Sequence, residues 1–148
     1  MATSPLSVSR LRSARGAELV EFALILPVLL LVVAGIIDFG FLFQRYESLT
    51  NAAREGARVG VLPGYAAADV TARVDAFASA AGLPETPTTT VATVVVDPGG
   101  GRPTYNTISV TVQHPYTFFM LGPVAGLLGS SFGTVTLSAN STMRVEGG

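Results

Sequence analysis

The longest apolar stretch of this chain lies near its N-terminus. Residues 22–37 carry no charged side chain, and after Asp38 the apolar run continues to Phe43. At about 1.5 Å per residue, the stretch 22–43 makes about 33 Å of helix, and about 20 residues are enough to cross the hydrocarbon core of a bilayer. Because backbone polar groups in lipid must be paired within the segment, the pattern predicts a membrane-spanning helix.

The helical pattern is expected to continue beyond the membrane to Gly60. Ala52, Gly56 and Gly60 recur every four residues and form a stripe of small side chains that another helix can approach closely. Arg54 and Arg58 form a second stripe of like charges one turn apart. The stripes indicate a packing face, within the domain or between subunits; the alternative is a solvated helix that only covers its own domain.

Residues 61–148 are predicted to form a separate α+β domain. Residues 66–81 form a predicted helix that ends at Gly82 and Pro84. Its apolar face is expected to consist of Val70, Val74, Phe77 and Ala81.

The remainder of this domain has the pattern of β-strands. Predicted strands cover residues 91–97, 107–113 and 134–145, with a linker at 85–90 and a glycine-rich turn after Asp97. His114 is expected to break the alternation of the second strand, and residues 124–131 to form a helical turn or a loop near the membrane. The predicted fold class is α+β: a long N-terminal transmembrane and stalk helix, then a small antiparallel β-sheet domain with one short helix.

Composition and charge exclude several classes of function. Charged residues make up 13% of the 148 residues, the net charge is −1 and there is no cysteine. Neither a basic surface for nucleic acid nor a thiolate metal site is therefore expected. The single histidine, His114, stands before a proline without a nucleophile motif. We expect a protein that is not an enzyme and has no cofactor.

The residues before the apolar run determine its orientation and its processing. Arg10, Arg12 and Arg15 precede the run, so the positive-inside rule favours an N-terminus in the cytoplasm. Three interpretations remain open: a secretory signal peptide cleaved before Gly35, an uncleaved signal anchor, or a leader cleaved after Gly16. Each predicts a different mature N-terminus.

Cleavage after Gly16 would give a specific arrangement of charges. Ala17 would carry a new amine, and Glu21 would follow it one helical turn later on the same face. A carboxylate that enters a bundle of apolar helices is costly unless it is paired.

Asp38 is the one carboxylate within the apolar run. It is expected to lie near the outer interface with Arg45 as a companion, or to contact a partner helix during assembly.

Several of these strings resemble one known family. The arginine-bearing leader, Gly16 and Glu21-Phe22 ahead of a spanning run resemble the processing site of type IV pilin-like proteins. The triplet Asp38-Phe39-Gly40 and the string NAAREGAR at 51–58 resemble TadE-like pseudopilins, the minor pilins of the tight-adherence pilus system. Phe22 stands where that family often has tyrosine.

The resemblance implies a role in pilus assembly. A prepilin peptidase would remove the leader, residues 1–16, by cleaving between Gly16 and Ala17. Residues 17–60 would form the transmembrane helix and stalk, and Glu21, Phe22 and Asp38 would act in assembly. The implied partners are the membrane, the prepilin peptidase, other pilin or pseudopilin subunits and the pilus assembly platform, without nucleic acid.

The same resemblance implies a location. The protein would be a single-pass protein of the bacterial cytoplasmic membrane with its N-terminus inside and residues 61–148 outside, where it can enter a pilus. An alternative function is a single-pass, signal-anchored surface protein that binds a ligand or a cell-wall component.

Overall fold

The computed structural model describes residues 8–145, with side chains from Gly16 onward. Its three helices and three strands follow one another in the order α1 (Val8–Gly60), α2 (Ala67–Ala80), β1 (Thr88–Val96), β2 (Tyr105–Tyr116), α3 (Leu121–Leu127) and β3 (Val135–Arg144). The predicted α+β class is confirmed. A second short helix, α3, occupies the region for which the sequence left a helical turn or a loop open.

Helix α1 is continuous and contains Pro27. It contributes to two compact units. The first unit combines α1 up to Phe39 with residues 118–133, and the second combines residues 40–117 with the segment from Thr134 onward.

The second unit is built on a three-stranded antiparallel sheet in the order β1-β2-β3. Val110 at the centre of β2 pairs with Val91 of β1 and with Ser141 of β3. The predicted antiparallel sheet is thus a meander of consecutive strands. Buried side chains alternate along β2 at Val110, Val112, His114 and Tyr116.

The predicted end of β2 before His114 is wrong. The strand continues because β3 pairs with it as far as Tyr116, opposite Val135. Pro115, which lacks an N–H, is tolerated because the pairing with β1 has already ended at Gln113, so one side of β2 is open at this point. His114 is therefore a buried member of the sheet face, and neither ring nitrogen has a hydrogen-bond partner in the described part of the chain.

Strand β1 begins earlier than predicted. Thr88, placed by the sequence in a linker, already pairs with Gln113. The turn after β1 agrees with the prediction: the Gly99 N–H donates a hydrogen bond of 2.8 Å to Asp97 Oδ1. Gly99 has a backbone φ of +69°, a conformation that residues with a Cβ rarely adopt.

Helix α2 ends as predicted, but its buried face differs. Val70, Val74 and Ala78 are buried. These three residues follow one another at a spacing of four. The sequence predicted Phe77 and Ala81 on the same face, but Phe77 is half-buried and Ala81 is exposed. Gly82 ends the helix with φ +74°, and the Leu83 N–H reaches back to the Ala78 carbonyl at 3.1 Å.

Candidate membrane and assembly interface

The rest of the chain covers very little of the apolar part of α1. Its most apolar 18-residue window has a mean hydropathy of 2.8, and 6% of that window is buried. A helix that is apolar all round belongs in a large core or in a membrane. The low burial rules out a core helix of this chain, so α1 can serve as a single-pass membrane anchor.

Glu21 and Phe22 lie on the uncovered part of α1. Both side chains are exposed, as are Gly16 and Ala17. Because four residues make about one turn, Ala17 and Glu21 lie on the same helix face. Of the predicted leader, residues 1–7 lie outside the described residues, and the backbone of residues 8–16 forms the start of α1. Its cleavage stays a prediction.

Asp38 binds the start of α3. The carboxylate is fully buried and accepts hydrogen bonds from the backbone N–H groups of Phe119 at 3.1 Å and Leu121 at 2.6 Å. The Met120 N–H lies between them, 3.1 and 3.0 Å from the two carboxylate oxygens. The first N–H groups of a helix have no partner within the helix, and a negative charge there is favourable. Asp38 therefore caps α3 within its own chain.

This cap is the functional geometry that the sequence did not reveal. Asp38 and Leu121 are separated by 83 positions, and no local pattern links a carboxylate in an apolar run to a distant glycine- and proline-containing segment. Arg45, the suggested companion, has its guanidinium carbon 5.4 Å from the centroid of the Tyr116 ring. The contact of Asp38 with a partner helix stays a prediction.

Aromatic and aliphatic contacts surround the cap. We refer to residues 118–133 as the α3 segment. The Phe118 ring meets the rings of Phe39 and Phe132 edge to face, with centroids 6.2 and 5.8 Å apart. Leu121 is buried, and its Cδ2 lies 4.0 Å from the point where a Cβ on Gly35 would be. The α3 segment thus packs on the C-terminal part of the apolar run.

The small-residue stripe of α1 packs against its own domain. A Cβ on Gly56 would lie 2.6 Å from Val74 Cγ2 and 3.3 Å from Val110 Cγ1, and one on Gly60 would lie 2.9 Å from Ile108 Cγ2. Ala52, the third member of the stripe, is fully buried. The glycines therefore let α1 approach both α2 and β2, while a use of the stripe between subunits stays a prediction.

We expect Gly56→Ala to lower the free energy of unfolding by up to about 2 kcal/mol. The new methyl would overlap Val74, whose β-branched side chain has little freedom to move. Overpacking of this kind typically costs about 1–3 kcal/mol, which outweighs the gain of about 1 kcal/mol in helix propensity. Denaturant unfolding of the solubilised protein measures the change.

Gly40→Ala is the matched control for this substitution. Gly40 lies in the same helix, and a Cβ there would have no neighbour within 4 Å. This variant is expected to be unchanged or slightly more stable. Equal stability of the two variants would contradict the tight approach at Gly56.

Arg54 and Arg58 lie on the exposed side of α1. Glu55, which lies between them in the sequence, binds Arg73 of α2, with Nη2 2.7 Å and Nε 3.1 Å from Glu55 Oε1. Exposed ion pairs contribute about 0–1 kcal/mol, so this pair orients the two helices more than it stabilises them.

The residues that the structure describes offer no candidate metal-binding site. This part of the chain contains no group of three or more His, Cys, Asp or Glu side chains that could hold a metal ion. Its distinctive features are instead an uncovered apolar helix, an exposed glutamate near its start and a capped segment near the end of the apolar run.

Comparison with known proteins gives one finding for this helix. Residues 16–58 match the family model described as TadE-like protein. The matched range lies within α1 and contains Gly16, Ala17, Glu21, Asp38 and the packing positions as far as Arg58. Searches of curated proteins and of solved structures give no match.

Proposed function

We propose that this protein is a structural minor pilin, or pseudopilin, of a tight-adherence pilus, because residues 16–58 match the family model described as TadE-like protein. Its task is to join other subunits through α1, and it is not an enzyme. The observation that carries the proposal is an exposed glutamate, Glu21, one turn after Ala17 on a helix whose apolar surface its own chain leaves uncovered.

The proposed assembly step begins with processing. A membrane prepilin peptidase cleaves the bond between Gly16 and Ala17 and leaves a charged amine on Ala17. The Glu21 carboxylate of one subunit then pairs with the Ala17 amine of its neighbour. Two charges in an apolar bundle are tolerated only when they are paired, so this contact selects one register between adjacent helices.

The proposed orientation follows from the charges before the helix. Arg10, Arg12 and Arg15 keep the N-terminus in the cytoplasm. The sheet and α2 then lie outside the cytoplasmic membrane of the bacterium. In this location, the exposed Arg54 and Arg58 are available to partner carboxylates on other subunits or on the assembly platform.

The N-terminal mass of the membrane-bound protein tests the proposal. The full chain is expressed with and without an active prepilin peptidase, and intact mass and N-terminal sequence are determined in the membrane fraction. We expect a product that begins at Ala17 only when the peptidase is active. Gly16→Leu should leave the full-length chain in the same membrane fraction, and Gly40→Leu, matched in size at a position with no neighbour within 4 Å, should still be processed.

Two other products would contradict the proposal. A mature protein that begins at Met1 in the presence of the peptidase would favour the signal-anchored surface protein. A product that begins at Gly35 and leaves the membrane would identify a secreted domain released from its signal peptide.

A further inference from the structure

We propose that the α3 segment, residues 118–133, is itself embedded in the bilayer, in the leaflet at the C-terminal end of the spanning helix. The inference rests on the proposed membrane anchor and adds a second segment that contacts the membrane. The lipid contact of this protein would then comprise one spanning helix and one short helix that enters the same membrane without crossing it.

The surface of the α3 segment is apolar and uncovered. No charged residue occurs between Thr117 and Met143, and the polar side chains of the segment itself are only Ser130 and Ser131. Leu127 is 80% exposed and Phe119 73%, and three more large apolar side chains are also exposed: Met120, Leu128 and Phe132. Exposed apolar side chains this close together mark an interaction surface on most soluble domains.

The position of the segment along α1 places it at membrane depth. Its contacts are with Gly35, Asp38 and Phe39. Along the helix, Gly35 lies about 12 Å before Phe43, where the apolar run ends, and Asp38 about 7 Å before it. Half of a hydrocarbon core is about 15 Å thick. A segment that packs on Gly35 to Phe39 therefore lies within one leaflet when α1 spans the bilayer.

The backbone at the two ends of α3 is hydrogen-bonded in a way that suits an apolar environment. In lipid, the first N–H groups of a helix would each cost several kcal/mol if they had no acceptor. The Asp38 carboxylate accepts hydrogen bonds from two of them, those of Met120 and Leu121, and from the N–H of Phe119, which directly precedes the helix. Pro123 has no N–H to satisfy, and the Leu128 and Ser130 N–H groups both donate to the Ala125 carbonyl.

Lipid is favoured as the occupant because this surface is continuous with the surface of the anchor. Ile36 and Phe39 of α1 are exposed, and they belong to the same compact unit as the α3 segment. The medium that covers the apolar side chains of α1 therefore also reaches those of the segment.

Tryptophan fluorescence in vesicles tests the inference, because the chain contains no native tryptophan. Three full-length single-tryptophan variants are reconstituted in phosphatidylcholine with or without bromine on the acyl chains. Leu127→Trp reports on the α3 segment, Leu24→Trp on the anchor and Tyr65→Trp on an exposed loop site. All three native side chains are exposed, so the substitutions disturb little packing.

We expect brominated lipid to quench Leu127→Trp at least half as strongly as Leu24→Trp, with blue-shifted emission, while Tyr65→Trp keeps water-like, unquenched emission. Water-like emission from Leu127→Trp beside a quenched Leu24→Trp would overturn the inference and leave the anchor intact. Blue-shifted, unquenched emission would identify a protein partner as the cover and also overturn it. An unquenched Leu24→Trp would overturn the inference together with the proposed anchor.

Discussion

Glu21→Ala is expected to abolish filament assembly and to leave membrane insertion intact. In the proposed filament, the Ala17 amine of each neighbour would lose its partner carboxylate among apolar helices. Removal of one member of a buried ion pair typically costs about 3–5 kcal/mol, which weakens each contact by about 100-fold or more. Insertion depends on the apolar run as a whole and does not require this carboxylate. The amounts of sheared filaments and of membrane-bound protein measure the two effects.

Two control variants separate charge pairing from other roles of the side chain. Glu18→Ala removes another exposed glutamate of the same helix, three residues earlier, and should assemble normally. Glu21→Gln keeps the size of the side chain without its charge and should fail like Glu21→Ala. Normal filament numbers in Glu21→Ala, or an equal loss in Glu18→Ala, would argue against pairing with the amine.

Asp38→Ala is expected to release the α3 segment from α1. The N–H groups of Phe119, Met120 and Leu121 would lose the acceptor that they share. Hydrogen bonds to a charged group contribute about 1.5–3 kcal/mol each. A local loss of about 3 kcal/mol, the upper value for one such bond, already corresponds to an exchange rate about 100-fold higher at these amides. Hydrogen–deuterium exchange of the reconstituted protein, followed on peptides from residues 118–133, measures the effect.

Glu47→Ala provides the matched control for the cap. Glu47 is an exposed acid of the same helix, and its removal should leave exchange in residues 118–133 unchanged. Asp38→Asn retains one acceptor oxygen without the charge and should give an intermediate rate. Unaltered protection in Asp38→Ala would mean that the aromatic contacts of Phe118 suffice to hold the segment.

Strand β2 shows which features the local sequence pattern could predict and which it could not. The alternation of Ile108, Val110 and Val112 is typical of a strand with one buried face, and Val110 and Val112 are buried. It could not predict that the strand continues through Pro115, because that depends on β3 lying on one side of β2 while β1 has already ended on the other. The helix α2 was located correctly for the same local reason. Its buried face was misjudged at Phe77 because the neighbouring elements decide which side is covered.

The amino-acid sequence by itself determined the features that depend on residues close together in the chain. The uncharged run from Phe22 to Ile37 requires a helix in an apolar medium, and the spacing of Ala17 and Glu21 places both on one face. Only the tertiary structure decided which groups satisfy Asp38 and which side chains fill the space beside Gly56. The physical reason is separation along the chain: the partners of Asp38 lie more than 80 residues away, so chain folding and not local preference brings them together.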